Sequence, residues 1–233
     1  MQTEIERIII NYCSPVLMGF KPAALFTLQS ENCLECLSGI LPPDITLMVL
    51  RKNGHRISVI VFDKQLLEKA ILNETVLSLL KGMGYPEEHL SRKVEDKSSF
   101  RLRRDTPVDP SSEDSIPRPS TAEADSPIFV YLNCLKKKLE TFQQFPHEIG
   151  FFLGYPIDDV LGFVKHKGQN YKLCGYWKVY GNIETAKNNF YCYELCRKYM
   201  SAWLQKGGLS SLRNSTATLG EIVGNAVRGT SEN

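Results

Sequence analysis

A polar segment of 30 residues divides the chain near its middle and limits what can fold on either side of it. Residues 97–126 contain 4 Pro, 7 Ser and 2 Thr, and their 5 basic and 6 acidic side chains nearly cancel. Apolar residues are too sparse there to offset the entropy lost on ordering the segment, so we expect a disordered linker or loop. A flexible tail is expected over 209–233, which is similarly polar.

The parts expected to fold are therefore residues 1–96 and 127–208. Neither part is long, and a small core is hard to stabilise alone. We expect the two parts to share strands in one sheet and to form one domain. Two separate domains are the alternative.

The composition is that of an ordinary globular protein. Of 233 residues, 42% are hydrophobic and 23% are charged, with a formal net charge of +2. Collagen-like, coiled-coil and fully disordered classes are excluded. No apolar run approaches the roughly 18–20 residues of a membrane span, and the acidic start of the chain argues against a signal peptide. Seven cysteines without an export signal indicate reduced thiols in a cytoplasmic protein.

The strongest local signal in the first part is a β-hairpin. Two runs rich in β-branched residues, 46–50 and 57–62, flank the Asn-Gly dipeptide at 53–54. This dipeptide is typical of a two-residue type I′ turn, which would place Leu50 opposite Ile57. Elsewhere in this part, helical spacing predicts helices at 4–12 and 31–38 and a helical stretch at 65–81 that is interrupted near Asn73, and we expect an extended segment at 24–28.

The second part shows sharper boundaries. Apolar residues follow helical spacing over 128–142. Pro146 and Pro156 each stand where a short helix begins, and Gly154 stands where the first of them ends. Strict alternation over 172–180 predicts a strand.

A long final helix follows, from its N-cap Asn182 to the two glycines at 207–208. Together, these elements predict an α+β fold. We expect a small mixed or antiparallel sheet, containing the 46–62 hairpin and the 172–180 strand, covered by four to six helices.

Two segments of the second part are denser in unusual residues than folding alone requires. They are Phe-Pro-His-Glu-Ile-Gly-Phe-Phe-Leu-Gly-Tyr-Pro at 145–156 and Cys-Gly-Tyr-Trp-Lys-Val-Tyr-Gly at 174–181, and they accompany Cys-Ser-Pro-Val-Leu-Met-Gly-Phe-Lys-Pro at 13–22. With these motifs, residues 6–90 and 128–206 resemble an uncharacterised bacterial family, the domain of unknown function 3793. In that family the residue before the first cysteine is often His, whereas here it is Tyr12. The resemblance implies a Firmicutes-type bacterial host and no particular mechanism.

A histidine and a cysteine within these motifs form one candidate catalytic site. His147 and Glu148 are expected in the first turn of a helix, where the helix dipole favours a neutral imidazole that can act as a base. Cys174 shares a strand face with Tyr176 and Lys178, and an ammonium beside its sulfur would favour a thiolate. The alternative is that these residues cap a helix and fill a small space in the core.

The remaining candidates concern ligands and metals. Lys21 follows a turn at Gly19 and is expected near Cys13, which makes this lysine a candidate anion-binding residue. Residues 33–36 form a Cys-x-x-Cys pair with the spacing of half a zinc site. Cys192 and Cys196 are four residues apart on the final helix, where they could bind a soft metal together with the histidine or cysteine of the candidate catalytic site. Core packing is the alternative for both cysteine pairs.

Three classes of function remain. The first is a small-ligand, metal-linked or redox-linked binding or accessory protein with ligand contacts from Cys13, Lys21, Tyr176 and Lys178. The second is a cysteine-dependent enzyme with a Cys174 nucleophile and a His147 base. The third, a weak nucleic-acid binder, is disfavoured because alternation turns the tryptophan at 177 away from its tyrosine neighbours. The sequence favours the first class, leaves the question of enzymatic activity open and indicates no particular metal, cofactor or partner.

Overall fold

The computed structural model describes residues 2–86, 126–141, 145–209 and 212. The linker expected over 97–126, apart from Ser126, and the tail expected over 209–233, apart from Leu209 and Leu212, lie outside these residues. The helices are α1 (Gln2–Ile8), α2 (Ser14–Leu17), α3 (Glu31–Ile40), α4 (Lys64–Ile71), α5 (Glu74–Gly82), α6 (Pro127–Thr141), α7 (Ile149–Phe152), α8 (Ile157–Lys165) and α9 (Ile183–Gly207), with a π-helical turn at Ile9–Cys13. The strands are β1 (Ala23–Leu28), β2 (Ile45–Asn53), β3 (Arg56–Asp63), β4 (Leu173–Cys174) and β5 (Lys178–Val179).

These elements confirm the predicted α+β class. β1, β3 and β2 form an antiparallel sheet in that order, with β3 in the centre. Along β3, Val59 and Val61 pack on one face, while Ile60 and Phe62 pack on the other. The nearly continuous apolar run of β3 follows from this arrangement, since helices cover both faces of the sheet.

The two faces of the sheet are covered by different parts of the chain. On one face, Ile5 of α1 and Leu34 of α3 pack together with Met200 of α9. On the other face, the helices from α4 to α8 supply the core, including Leu67 of α4 and Leu132 of α6. Each face is therefore buried by helices from both sides of the segment 87–125. Among the described helices, none combines the length and hydropathy that crossing a membrane requires.

The hairpin of β2 and β3 is confirmed, but its turn lies one residue further along the chain than predicted. Asn53 still belongs to the ladder, and the loop consists of Gly54 and His55. Gly54 has a φ of +57°, whereas His55 has no positive φ. This pattern is that of a type II′ turn, in which only the first loop residue needs the left-handed region. A β-bulge between Val49 and Arg51 absorbs the change of register, so Leu50 does not face the partner that was predicted.

The predicted strand over 172–180 is instead a small hairpin. β4 and β5 pair with each other and form a sheet separate from that of β1–β3. Gly175 donates its backbone N–H to the carbonyl of Trp177 at 3.0 Å, which closes the turn. The ring of Phe190 in α9 occupies the space where a Cβ at position 175 would lie. The turn therefore requires glycine at position 175, because a larger residue would overlap a ring from α9.

Helix boundaries follow the capping signals. The predicted interruption near Asn73 is confirmed: its Oδ1 accepts hydrogen bonds from Thr75 and Val76 and caps α5. Asn182 caps α9 in the same way, by accepting from the backbone N–H of Thr185 at 3.0 Å. Side-chain oxygens at these positions satisfy donors that a helix start leaves free.

We propose that residues 1–96 and 127–208 form one cooperative domain, which the shared packing on both sheet faces supports. Fragments 1–96 and 127–233, expressed together as separate chains, should then purify as one complex and unfold in a single transition. Each fragment expressed alone should unfold without a cooperative transition. Two fragments that fold alone and do not associate would contradict the proposal.

Candidate functional site

A cavity of about 400 Å3 lies between the turn before α7 and the β4–β5 hairpin. His147 lines it from one motif, and Cys174, Tyr176 and Lys178 line it from the other. Most of the remaining wall is apolar or aromatic and includes Leu25, Phe145, Leu153, Val160, Phe163 and Trp177. We call this space the hairpin cavity. It brings together four of the seven candidate residues.

His147 and Cys174 are both exposed at this cavity. The His147 ring meets Phe163 edge-on, with 4.9 Å between ring centroids. The expectation that His147 lies in the first helical turn is wrong by two residues, because α7 begins at Ile149 and the turn before it closes through a bond from the Ile149 N–H to the Pro146 carbonyl. No hydrogen bond among the described residues joins His147 to Cys174.

The ammonium of Lys178 is held at the end of α8. It donates to the carbonyl of Gly168 at 2.7 Å and lies 4.9 Å from the ring centroid of Tyr171. Although Lys178 and Cys174 are paired across the hairpin, the hydrogen bond of this ammonium goes to the backbone after α8. Lys178 thus contributes its stem and its charge to the cavity wall from a fixed position.

Glu148 is buried and does not line the hairpin cavity. Its carboxylate accepts hydrogen bonds from Lys138 Nζ at 2.8 Å and from the Tyr85 hydroxyl at 3.3 Å. Lys138 also donates to the carbonyl of Met83 at 2.7 Å, so these residues tie α5, α6 and the turn before α7 together. Burial, together with the nearby Glu148 carboxylate, raises the pKa of Tyr85 and keeps its phenol a donor. In this structure Glu148 anchors the turn that presents His147.

Asp159 is the residue at this site that the sequence did not reveal. It is 3% exposed, and its carboxylate accepts three hydrogen bonds of 2.7 Å, from the indole N–H of Trp177 and from the backbone N–H groups of Tyr180 and Gly181. Asp159 therefore fixes the β4–β5 hairpin to α8. An acidic residue in the first turn of a helix is already explained by the helix dipole. The sequence therefore gave no sign that Asp159 also binds the hairpin.

Aromatic rings of the second motif pack against other parts of the protein. Trp177 stacks on Tyr155 at 4.8 Å and meets Phe190 edge-on at 4.6 Å. Tyr176 donates its hydroxyl to Glu194 at 2.7 Å. Tyr180 stacks on the ring of His166 at 5.6 Å. These rings are engaged internally, so they form no open platform on which bases could stack.

Cys13 and Lys21 lie in different surroundings. Cys13 is fully buried in the core beneath one sheet face, and burial raises the pKa of its thiol. Lys21 lines a second cavity of about 410 Å3, where its Nζ lies 5.4 Å from the ring centroid of Tyr155 and 5.8 Å from that of Tyr193. Burial lowers the pKa of Lys21 to about 8. Tyr155 lines both cavities and forms part of the wall between them.

The cysteines offer no grouped metal ligands. All seven are free thiols. Cys196 is buried, and burial raises its pKa to about 12, which disfavours the thiolate that binds soft metals. Across residues 2–86, 126–141 and 145–209, no group of three or more His, Cys, Asp or Glu side chains is placed to hold a metal ion.

Comparison with known proteins identifies a family. The model of the family described as "Protein of unknown function (DUF3793)" matches residues 9–103 and 121–213. No curated protein and no solved structure gave a match. The family match covers both motifs that line the hairpin cavity and most of the chain, and the chain therefore belongs to the DUF3793 family.

Proposed function

We propose that this protein binds a small, largely apolar molecule in the hairpin cavity. The observation that carries the proposal is the cavity itself: about 400 Å3, with apolar and aromatic walls and a few polar side chains. Small-molecule sites usually measure about 300–1,000 Å3 and combine apolar walls with a small number of polar groups. The seven free thiols support a cytoplasmic location for this activity.

The wall indicates the chemistry of the ligand. Trp177 and Phe163 provide flat apolar surfaces, which suit an aromatic or aliphatic body. His147 and Cys174 are exposed at the same cavity and can contact a polar substituent. Of the accessory roles expected from the sequence, small-ligand binding has this support, whereas a metal-linked role lacks a ligand cluster within the described residues.

A cysteine-dependent enzyme is the second candidate. It is favoured by one observation, that His147 and Cys174 are both exposed along one cavity. Such an enzyme needs the base within about 2.6–3.2 Å of the nucleophile, a contact that tightens in some enzymes only when substrate binds. Its signature would be a thiol whose reactivity depends on the histidine.

One experiment tests both candidates. The full chain is treated with iodoacetamide at pH 7, and the alkylation of each cysteine is followed by peptide mass spectrometry. The neutral apolar probe N-phenyl-1-naphthylamine should slow alkylation of Cys174 and leave that of Cys36 in α3 unchanged, because Cys36 does not line the hairpin cavity. Cys174→Trp should weaken binding of the probe about tenfold, since the indole fills the cavity, while Cys174→Ser should change it by less than about twofold.

The outcomes separate the two functions. In a binding protein, His147→Ala leaves the alkylation rate of Cys174 within about twofold of the wild-type rate. In the enzyme, the same substitution slows alkylation by about tenfold or more, because general-base help is lost. If the probe binds equally well to the Cys174→Trp variant and does not protect Cys174, the hairpin cavity is not the binding site.

A further inference from the structure

The second cavity, which we call the lysine cavity, holds a buried positive charge. Lys21 is 9% exposed and lines this space of about 410 Å3. The rings of Tyr155 and Tyr193 flank its ammonium at 5.4 and 5.8 Å from their centroids. Aromatic faces attract a cation, yet they replace only part of the hydration that burial removes.

No group among the described residues neutralises this ammonium. Within the described residues, Lys21 has neither a hydrogen bond from its Nζ nor an ion pair. Buried charges in folded proteins are normally paired or hydrogen-bonded. An unpaired lysine that is nine-tenths buried and lines a cavity is therefore an incomplete arrangement, and an anion is what would complete it.

A helix start faces the same cavity. Pro156 and Ile157, which begin the nine-residue helix α8, line the lysine cavity, and no side chain caps this helix. The backbone N–H groups of Ile157 and Asp158 have no acceptor among the described residues. Free N–H groups and the positive end of the helix dipole favour an anion at this position.

The charges around the cavity have one sign. The described residues that line it include two lysines, Lys21 and Lys69, and no carboxylate. The two acids in the first turn of α8 are directed elsewhere: Asp159 binds the β4–β5 hairpin, and Asp158 lies against Gly181. Nothing acidic among these residues competes with an incoming anion.

We propose that the lysine cavity binds the oxyanion group, phosphate or carboxylate, of a small molecule, with Lys21 as the counter-ion and the start of α8 as hydrogen-bond donor. The apolar part of that molecule would pack against Phe20, Leu66, Val76 and Phe151, which share the cavity wall. The site is distinct from the hairpin cavity, although Tyr155 contributes to both.

The charge of Lys21 gives this site a pH dependence. Burial lowers its pKa to about 8, so the empty site loses its ammonium as the pH rises through 8. The other titratable groups that face it are the phenols of Tyr155 and Tyr193, whose pKa values are raised by burial, and the ammonium of Lys69 at the rim. Affinity for an anion should therefore fall above pH 8. Lys69 is present in both the wild type and a Lys21 variant, so it cannot account for a difference in pH dependence between them.

The test is calorimetric titration of the full chain with phenyl phosphate, benzoate and the neutral benzyl alcohol at constant ionic strength. Lys21→Met should weaken binding of at least one of the two anions about tenfold or more, whereas Lys187→Met, which removes an exposed charge on α9, should change it less than about twofold. Between pH 7.5 and 9.5, where phenyl phosphate stays a dianion, wild-type affinity should fall about tenfold or more, and the residual affinity of Lys21→Met should stay constant.

The two anions distinguish the source of the oxyanion. Binding of phenyl phosphate alone assigns the site to a phosphate ester, and binding of benzoate alone assigns it to a carboxylate. The proposal is overturned if neither anion binds the wild type more tightly than benzyl alcohol does, or if Lys21→Met binds as the wild type does. Loss of probe binding in the Cys174→Trp variant would leave these results unchanged, so the two sites are tested independently.

Discussion

Replacing Asp159 with alanine should lower the free energy of unfolding by about 3–5 kcal/mol. The substitution leaves three donors without an acceptor: the indole N–H of Trp177 and the backbone N–H groups of Tyr180 and Gly181. A hydrogen bond to a charged group contributes about 1.5–3 kcal/mol, and the contributions of three donors sharing one carboxylate are not additive. Urea denaturation, followed by the fluorescence of the two tryptophans at 177 and 203, measures the effect.

The neighbouring carboxylate provides a matched control. Asp158 is exposed and lies one residue earlier in the same helical turn, so Asp158→Ala should cost less than about 1 kcal/mol. Asp159→Asn should fall between the two alanine variants, because an amide oxygen can still accept from the backbone donors. Equal effects of the two alanine substitutions would show that the carboxylate of Asp159 does not hold the hairpin.

Gly154→Ala should lower the free energy of unfolding by about 2–4 kcal/mol, for two separate reasons. Gly154 has a φ of +72°, a conformation that costs a residue with a Cβ about 1–2 kcal/mol. In addition, a Cβ at this position would lie 2.5 Å from Cδ of Pro22, next to the lysine of the lysine cavity. The ring of Pro22 can move only together with the backbone before β1. Thermal and urea unfolding of the purified variant measure the loss.

A second glycine separates these two costs. Gly84 ends α5 as Gly154 ends α7, with a φ of +83°, and the tyrosine that follows each glycine donates its N–H to the carbonyl five residues earlier. No atom lies within 4 Å of a Cβ built on Gly84. Gly84→Ala should therefore show only the conformational cost, about 1–2 kcal/mol. If the two variants lose the same stability, the contact with Pro22 contributes nothing.

Local signals predicted most of the fold, and two departures from prediction, at the β2–β3 turn and in the 172–180 segment, have definite causes. Capping residues such as Asn182 act on their own helix, so the sequence alone places them. At the β2–β3 turn, the Asn-Gly dipeptide predicted a type I′ turn. The bulge at Leu50 shifts the register, so the glycine instead occupies the first loop position of a type II′ turn. In the 172–180 segment, the turn at Gly175 depends on the position of Phe190, which is 15 residues later and invisible to a local pattern.

The candidate sites show the same division. The motifs contain four of the predicted residues that line the hairpin cavity, His147, Cys174, Tyr176 and Lys178, because a dense run of unusual side chains is visible in sequence. The sequence could not show which partners the charged side chains bind in the folded protein. Glu148 accepts a hydrogen bond from Lys138, and Lys178 donates one to the carbonyl of Gly168. Asp159 accepts hydrogen bonds from three donors of the β4–β5 hairpin and the residues after it. Each of these bonds joins residues from different elements, so the fold has to exist before the partner can be named.

The protein without its anion carries Lys21 at the expense of its own stability. An ordinary lysine has a pKa of 10.5, whereas burial lowers that of Lys21 to about 8. The unfolded chain therefore binds this proton more tightly than the folded protein does. At about 1.4 kcal/mol per pKa unit, the folded state is less stable by about 3 kcal/mol at any pH below 8 than it would be if Lys21 kept its ordinary pKa. This penalty fades as the pH rises from 8 to 10.5. A methionine at position 21 would remove this penalty, so without an anion the Lys21→Met protein should be more stable at neutral pH than the wild type. An anion bound to the wild type would stabilise its folded state and reduce that difference.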